Sequence, residues 1–271
     1  MQHVLETVKG GFKEALTVDG GLRGLKALLG FLTVIPVKVE EGDIEEAAAN
    51  IHLFPLIGAL LGLIAGAAAL TFSLILPKSL VGLLTTGLLI VLTGAHHFDG
   101  LLDFGDALMV QGTPEARMKA MHDQRTGAGG LAVASTVLIA NVLAVAELSP
   151  NTVLHAVFTA EVSAKLSMVV GAKAGKSAYP GLNRPFVEAM RGRKGLLRLT
   201  VAVALSTALA FVALSSIGIL MLLTAALTAL TLTGIAVKLF GGITGDVLGA
   251  MNEISRTASL IVALTVMKAS L

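Results

Sequence analysis

The stretch HHFDGLLDFGDA, residues 96–107, places three carboxylates directly after a long uncharged apolar run. On a helix, Asp99, Asp103 and Asp106 are spaced i, i+4 and i+7 and share one face, with His96 three residues before the first acid. Like charges at this spacing repel, whereas a bound divalent cation reverses the sign of that interaction. Mg²⁺ prefers oxygen ligands of this kind together with substrate phosphate. The stretch therefore predicts a magnesium site that acts on a phosphorylated substrate.

We expect this stretch to be a helix that continues the preceding apolar span out of the membrane. Gly100 and Gly105 flank the acids and would let a bulky phosphate approach the backbone. The alternative is a solvated helix end at which acids cluster without a function. Acids at the membrane boundary of a charge-poor chain are costly and usually functional, which favours the metal site.

The next polar segment reads MKAMHDQRTGAGG, residues 118–130. Asp123 is a candidate metal ligand or orienting carboxylate, and the planar guanidinium of Arg125 suits phosphate. The glycines that follow indicate a flexible backbone at the start of the next span. The alternative is a connecting loop in which Arg125 only sets membrane topology and the glycines form a turn.

A third segment, GGITGDVLGAMNEI, repeats the combination of glycines and acids. A helix beginning near Gly245 would place Asp246 and Glu253 on one face, as a second acidic stripe. The glycine-rich turn before it is a candidate phosphate cradle, because the first N–H groups of a helix are free. The alternative is a loop with tight helix packing. The candidate metal ligand here is Asp246, and the candidate substrate-binding residues are Gly241, Gly242, Thr244, Asn252 and Glu253.

The composition indicates that these segments belong to a membrane protein. Of 271 residues, 55% are hydrophobic and only 14% are charged. Glycine and alanine are abundant and Trp is absent, which favours closely packed helices over an aromatic-belted barrel. Without cysteine, the chain has neither disulfides nor a thiolate metal site. We therefore expect an all-α, polytopic integral membrane helical bundle.

Six apolar runs are long enough, or nearly so, to cross the hydrocarbon core. They are Leu53–Leu76, Leu80–Ala95, Gly129–Leu148, Val153–Gly171, Leu199–Leu214 and Ile217–Leu239. The shorter Leu25–Val37 is interpreted as interfacial or re-entrant, and Ala258–Leu271 as a short seventh span or a segment packed on the bundle. The prediction is six to eight membrane helices with re-entrant or interfacial segments, in a single membrane-embedded catalytic domain, residues 1–271.

The basic residues predict the orientation of the bundle. If each run crosses once, residues 1–50, 97–126, 172–198 and 238–256 lie on one side, and these contain nearly all Lys and Arg, including Lys9 and Lys13. By the positive-inside rule that side is cytoplasmic, so the active-site loops face the cytoplasm of a multi-pass cell-membrane protein. Residues 172–198 are strongly basic and suit anionic substrate or lipid headgroups. The first twenty residues lack the pattern of a cleavable signal peptide.

One ion pair is expected inside the membrane. Glu161 and Lys165 are spaced i, i+4 within an apolar run. Because either charge alone would be costly in lipid, we expect the two side chains to form a buried pair with a structural role.

The motifs together resemble the cobalamin synthase family, the membrane adenosylcobinamide-GDP ribazoletransferases. The resemblance covers most of the chain and rests on FLTVIPV, FPLIGALLG, TGAHHFDGLLDFGDA, HDQRTGAGG and GGITGDVLGAMNEI, all in the family's order. The chain departs from the family pattern at Val34, where an arginine is usual, and in the basic segment 172–198.

The resemblance implies transfer of α-ribazole, or its 5′-phosphate, onto adenosylcobinamide-GDP with release of GMP and with Mg²⁺ as cofactor. On this hypothesis Asp99, Asp103 and Asp106 hold Mg²⁺, and Asp123 and Asp246 complete the cluster. Arg125 neutralises the departing phosphate, and the proton of the attacking hydroxyl goes to His96 or to an aspartate. The expected partners are the two substrates and membrane lipid, with no nucleic acid; a monomer and an oligomer are both compatible with the sequence.

Two other classes compete with this interpretation. A CDP-alcohol phosphotransferase also sets aspartates near the cytoplasmic face, but its D-x-x-D-G-x-x-A-R signature is not matched, since Asp99-Gly100 is not followed by Ala-Arg. An ion-coupled transporter would place its acids near mid-span, whereas these acids lie in the polar connections.

Overall fold

The computed structural model describes residues 18–38 and 40–269, so the expectations for Lys9, Lys13 and a signal peptide lie outside the described residues. Within that part of the chain there are eleven α-helices, a 3-10 turn at Ile51–Leu53 and no strand. The helices are α1 (Val18–Leu32), α2 (Asp43–Ala49), α3 (Phe54–Ser73), α4 (Lys78–Leu92), α5 (His96–Met109), α6 (Pro114–Met121), α7 (Ala128–Ala146), α8 (Pro150–Ala174), α9 (Arg184–Ala189), α10 (Gly192–Phe240) and α11 (Gly245–Ala269).

Five of these helices are long and apolar enough to cross a membrane: α3 with its preceding turn, α7, α8, α10 and α11. Helix α4 meets the same test only together with α5, as a bent pair. The predicted apolar runs coincide with these helices to within a few residues, apart from an earlier start of α10. The predicted polytopic helical bundle is therefore confirmed.

Helix α10 contains two antiparallel halves. A straight helix of 49 residues, with a rise of about 1.5 Å per residue, would be far longer than the hydrocarbon core is thick. The backbone leaves helical geometry at Leu214 and Ser215, where Ser215 adopts a positive φ of 51°. A side chain on Gly218 would collide with the backbone of Ala210, so the second half folds back against the first. The two halves are the predicted spans Leu199–Leu214 and Ile217–Leu239.

The acidic stretch does not continue the preceding span, as the sequence had suggested. Gly94 and Ala95 both take left-handed conformations with φ of 60°, and the chain turns by 96° between α4 and α5. The free carbonyl of Leu92 accepts a hydrogen bond from the amide of Val34 at 2.9 Å, which stabilises the end of α4. Helix α5 therefore turns aside from α4, and it packs against the start of α11 and against α7.

The segment Ala258–Leu271 is also not a separate short span. Its described residues form the second half of α11, which begins at Gly245 and is one continuous helix of 25 residues. At the far end of α11, Lys268 pairs with Glu147 at 2.9 Å. Asp246 therefore lies in the first turn of a membrane helix rather than in a loop.

The long polar connections meet at one end of the bundle. The amide of Ile243 donates to the carbonyl of Lys176 at 2.7 Å, within an isolated parallel bridge. Arg198 donates to the carbonyls of Ala49 and Ala189, at 2.9 Å and 2.6 Å. This arrangement agrees with the grouping expected from single crossings of the apolar runs.

Candidate active site

Helix α5 crosses the first turns of α11 at two glycines. A Cβ atom placed on Gly100 would lie 2.9 Å from both the Cα and the carbonyl oxygen of Asp246. One placed on Gly249 would lie 3.1 Å from the carbonyl oxygen of His97. The two backbones are therefore in direct contact, as small residues allow in membrane bundles.

These glycines do not open space for a phosphate, which corrects our expectation. The open side of Gly100 is filled by Asp246, and Gly105 packs against α7. A Cβ on Gly105 would lie 2.9 Å from the Cβ of Val133 and 3.0 Å from the Cα of Gly130. Both glycines let helices approach closely, and it is this approach that determines where the carboxylates lie.

The crossing of α5 and α11 brings the acidic residues of two sequence segments together. The pKa of Asp103 is raised from 3.8 to about 7. Burial is the largest cause, and the negative charges of Asp246, Asp99 and Asp106 add to it. Such an effect requires the charges to be close, because solvent screens distant ones. Asp99 is exposed, Asp103 and Asp246 are partly buried, and His96 is exposed on the first turn of α5.

The acidic residues at this crossing are of the chemical type that binds a divalent cation. Several carboxylates repel one another here, and hard oxygen donors are the ligands that Mg²⁺ takes from proteins. In residues 18–38 and 40–269, no three His, Asp or Glu side chains are grouped so that they could hold a metal ion by themselves. Mg²⁺ usually keeps positions for water and substrate phosphate. The side chains are thus of the chemical type that Mg²⁺ binds, but the described residues do not by themselves assemble a metal site.

Asp106 is engaged by the backbone of the next helix. Its two carboxylate oxygens accept hydrogen bonds from the amides of Gly127 and Gly130, at 2.7 Å and 2.8 Å. These amides belong to the first turn of α7, whose N–H groups have no partners within the helix. Asp106 thus ties the start of α7 to α5, and both of its oxygens already have partners.

Asp123 and Arg125 lie in the turn between α6 and α7 and point outward. The amide of Arg125 donates to Oδ1 of Asp123 at 3.0 Å, and the guanidinium Nε lies 3.8 Å from the same oxygen. The side chain of Arg125 is 93% exposed. Asp123 is absent from the charges that raise the pKa of Asp103. The structure therefore does not bring these two residues into the group formed by Asp99, Asp103 and Asp246.

The glycine-rich turn before α11 is shaped by protein contacts. Gly241 ends α10 in a left-handed conformation with φ of 79°, and Gly242 packs against the backbone of residues 176–178. The hydroxyl of Thr244 accepts from the amide of Val247 at 3.1 Å, as a helix N-cap does. Of the glycines in the proposed cradle, Gly241 and Gly245 have open space beside them, whereas Gly242 does not.

Asn252 and Glu253 are buried inside the bundle. Asn252 accepts a hydrogen bond from Nζ of Lys165 at 2.6 Å and donates to Glu253 at 3.0 Å. Glu253 is also paired with Arg256 on the next turn of α11. The first turn of α11 thus places Asp246 beside α5, whereas the third and fourth turns place the charged side chains of Glu253 and Arg256 in the protein interior.

The predicted pair of Glu161 and Lys165 is confirmed, with both side chains buried and 3.6 Å between Nζ and Oε2. The structure adds a second cation, since Nε of Arg256 lies 2.7 Å from Oε1 of Glu161. With Glu253, the network contains two acids and two bases, so its charges balance. Balanced, paired charges are the form in which ionisable groups are tolerated in a membrane interior.

Two residues beside Asp246 were not selected from the sequence. Nε2 of His122 lies 2.9 Å from the hydroxyl of Tyr179, and the preceding residue, Met121, accepts a hydrogen bond from Thr244, two residues before Asp246. His122 directly precedes the candidate Asp123, so its motif already marked it. Tyr179 lies in the basic segment 172–198, and the feature of the sequence that could have marked it is that the chain has no other tyrosine.

The comparisons with known proteins agree with this architecture. The family model described as cobalamin-5-phosphate synthase matches residues 24–264. A protein of Methanocella arvoryzae named adenosylcobinamide-GDP ribazoletransferase is 34% identical over 88% of this chain and 94% of its own length. Proteins of the same name from Methanosarcina barkeri and Pyrococcus abyssi are 33% and 34% identical over 92% and 88% of this chain, and 94% and 96% of their own lengths. No solved structure matches the chain significantly.

The family match includes α2 to α10, most of α1 and the first four fifths of α11, and therefore every residue of the acidic group and of the buried charge network. The sequence identity extends over nearly the full length of this chain and of each relative, so it reflects the whole bundle rather than one motif. On these grounds the chain belongs to the cobalamin-5-phosphate synthase family.

Proposed function

We propose that this chain is an adenosylcobinamide-GDP ribazoletransferase, which joins α-ribazole or its 5′-phosphate to adenosylcobinamide-GDP and releases GMP. The relatives that carry this name support the reaction. The structural observation that supports the proposal is the contact of Gly100, which lies between Asp99 and Asp103 in the chain, with the backbone of Asp246. Transfer to a diphosphate-linked donor needs acidic residues brought together in this way, because the reacting phosphoryl group is highly charged.

The reaction is a displacement at phosphorus, in which one bond forms and one bond breaks. The hydroxyl oxygen of the ribazole forms a bond to the phosphorus nearer the corrinoid. The bond from that phosphorus to the bridging oxygen breaks, and GMP leaves with that oxygen. The hydroxyl's proton passes to His96 or to one of the aspartates, all of which lie on or beside α5.

Mg²⁺, when bound, would supply charge neutralisation for the diphosphate. Asp99, Asp103 and Asp246 are the residues that we propose as its holders, because Asp106 uses both oxygens for the start of α7. Asp123, which lies outside this group, would join only if the turn between α6 and α7 rearranged around the substrate.

The exposed turn between α6 and α7 would contribute cationic charge to the leaving group. Arg125 is free to reach a phosphate apart from its contact with Asp123. Gly241 and Thr244 lie in the turn that leads into α11, and the free amides at the start of that helix favour an anion. Asn252 and Glu253 would act indirectly, because both are buried within the bundle.

We also propose that this end of the bundle faces the cytoplasm of the cell membrane. The basic residues of the connections at this end support that orientation through the positive-inside rule. Lys78 and Lys268 are the described basic residues at the opposite end.

Purified protein in detergent, given adenosylcobinamide-GDP, α-ribazole and Mg²⁺, should release GMP only when all three are present. The same preparation should release no CMP from a CDP-alcohol donor. Asp103→Ala should abolish GMP release while the protein still inserts into membranes. Normal Mg²⁺-dependent turnover by Asp103→Ala, or absence of GMP release by the folded parent protein, would refute the proposal.

A further inference from the structure

A pair of aromatic side chains stands beside the acidic group. The rings of His122 and Tyr179 meet edge to face, with 5.0 Å between their centroids and an angle of 86°. Nε2 of His122 and the hydroxyl of Tyr179 are 2.9 Å apart. His122 is exposed and Tyr179 is partly buried, so the pair keeps accessible aromatic surface. Both rings are attached to the turn before Asp246, because Met121 next to His122 contacts Thr244 and Asn183 of the Tyr179 loop donates to the carbonyl of Ile243.

Tyr179 is held in place by contacts of its own loop. The carbonyl of Tyr179 accepts a hydrogen bond from the hydroxyl of Ser177 at 2.7 Å. The side-chain amide of Asn183 donates to that hydroxyl at 3.0 Å and to the carbonyl of Ile243 at 2.7 Å. The ring of Tyr179 packs against Gly181, where a Cβ would lie 2.6 Å from a ring carbon. The loop is thus fixed to the turn that precedes Asp246.

His122 is positioned from the opposite side by α6. It directly follows Met121, which is buried and whose sulfur accepts a hydrogen bond from Thr244 at 3.4 Å. Arg117 fixes α6 to the end of α5 through hydrogen bonds to the carbonyls of Ala107 and Leu108, at 3.0 Å and 2.9 Å. Two separate segments therefore build this pair, and both are attached to the helices that carry the acids.

A rigid, accessible aromatic pair beside a phosphate-handling centre suits a planar base. Aromatic side chains bind nucleobases by stacking, which tolerates any base because each has a π face. Cationic groups lie on the same two segments, since Lys176 and Arg125 are both exposed. A nucleotide with its base on the rings would have its phosphates within the region of these charges and the carboxylates.

We propose that Tyr179 and His122 form a stacking wall for the heteroaromatic base of one substrate, either the guanine of the donor or the benzimidazole of the ribazole. This inference rests on the proposed function, because that reaction supplies the two candidate bases. It assigns a binding role to part of the basic segment 172–198.

Paired substitutions separate stacking from a simple latch between loops. Tyr179→Phe keeps the ring and loses the hydroxyl bond to His122, whereas Tyr179→Leu loses the ring. Stacking predicts near-normal KM for Tyr179→Phe and a KM raised about tenfold or more for one substrate in Tyr179→Leu, with kcat changed less. A latch predicts equal damage in both variants. Equal damage, or unchanged KM in Tyr179→Leu, would overturn the proposal.

Tyrosine emission gives a readout that needs no variant and no turnover. The chain has one tyrosine and no tryptophan, so the intrinsic emission of the detergent-purified protein comes from Tyr179 alone. A saturable change on addition of GMP assigns the wall to guanine, and a change with α-ribazole assigns it to benzimidazole. No change with either at concentrations that saturate turnover overturns the inference. A change without any turnover would leave the wall in place and refute the proposed reaction.

Discussion

Gly100 of α5 lies directly against the backbone of Asp246 in α11, so that a methyl group at residue 100 would sit 2.9 Å from the Cα of Asp246. This contact joins the two acidic motifs, because Asp99 flanks Gly100 in the chain and Asp103 lies one turn later. The distance between the two sets of carboxylates is therefore controlled by a residue that has no side chain.

Replacing Gly100 by alanine should separate the two helices and lower turnover by about tenfold or more, since small misplacements of catalytic groups are costly. GMP release by the purified protein measures the effect. Gly87 in α4 offers a matched control, because its added Cβ would meet nothing within 4 Å. Gly87→Ala should keep full activity. Equal activity of the two variants would show that the helix crossing does not set the site.

Asp103 and Asp106 should differ in what their loss does, although they are neighbours on one helix face. Asp103→Asn should lower turnover by about 100-fold or more and leave thermal stability unchanged or slightly raised, because repulsion is relieved. Asp106→Ala removes two hydrogen bonds from the start of α7 and should lower the melting temperature by about 2–4 °C. Turnover and thermal unfolding, measured on both variants, test this difference. Similar loss of stability in both would contradict the assigned roles.

The raised pKa of Asp103 predicts that Mg²⁺ binding depends on pH. Below a pKa of about 7 Asp103 is protonated and binds a cation poorly, and above it the carboxylate is available. The half-saturating Mg²⁺ concentration should therefore fall about tenfold between about pH 6 and pH 8, and turnover measured against Mg²⁺ at each pH tests this. A half-saturating concentration that is independent of pH would contradict the prediction.

The same raised pKa determines the sign of the stability change in the metal-free protein. Between 3.8 and about 7 the folded chain keeps a proton on Asp103 that the unfolded chain releases. The contribution of this group to stability therefore declines as pH rises through that window. Asp103→Asn should remove this part of the pH dependence in thermal unfolding.

Two lysines that are both paired with glutamate should respond differently to the same substitution. Lys165 is buried, 3.6 Å from Glu161, and Lys165→Met leaves an unbalanced acid in the interior, at a cost of about 3–5 kcal/mol. Lys268 is 2.9 Å from Glu147, but both side chains are more than half exposed. Lys268→Met should therefore leave thermal unfolding in detergent unchanged. Equal losses would show that burial does not determine the importance of these pairs.

Much of this protein could be predicted from the order of its residues. Apolar runs identify membrane helices because the hydrocarbon core demands about twenty apolar residues in succession. Helical spacing correctly placed Asp99, Asp103 and Asp106 on one helix, and the glycine turn marked the start of α11 at Gly245. The motifs indicated the family, since they occur in its order. The placement of the acids on one helix and the start of α11 depend on neighbours within about two helical turns.

The contacts between distant segments were decided by the tertiary structure alone. The two left-handed residues at 94 and 95 turn α5 aside from α4, and a residue may take that conformation only where surrounding contacts hold it there. Asp106 belongs to the acidic stripe by spacing, yet its oxygens bind the start of α7, a segment about twenty residues away. Glu253 shares a helix face with Asp246, yet pairs with Arg256 in the interior. A one-dimensional pattern identifies which side chains share a face, whereas the packing of other helices determines what that face meets.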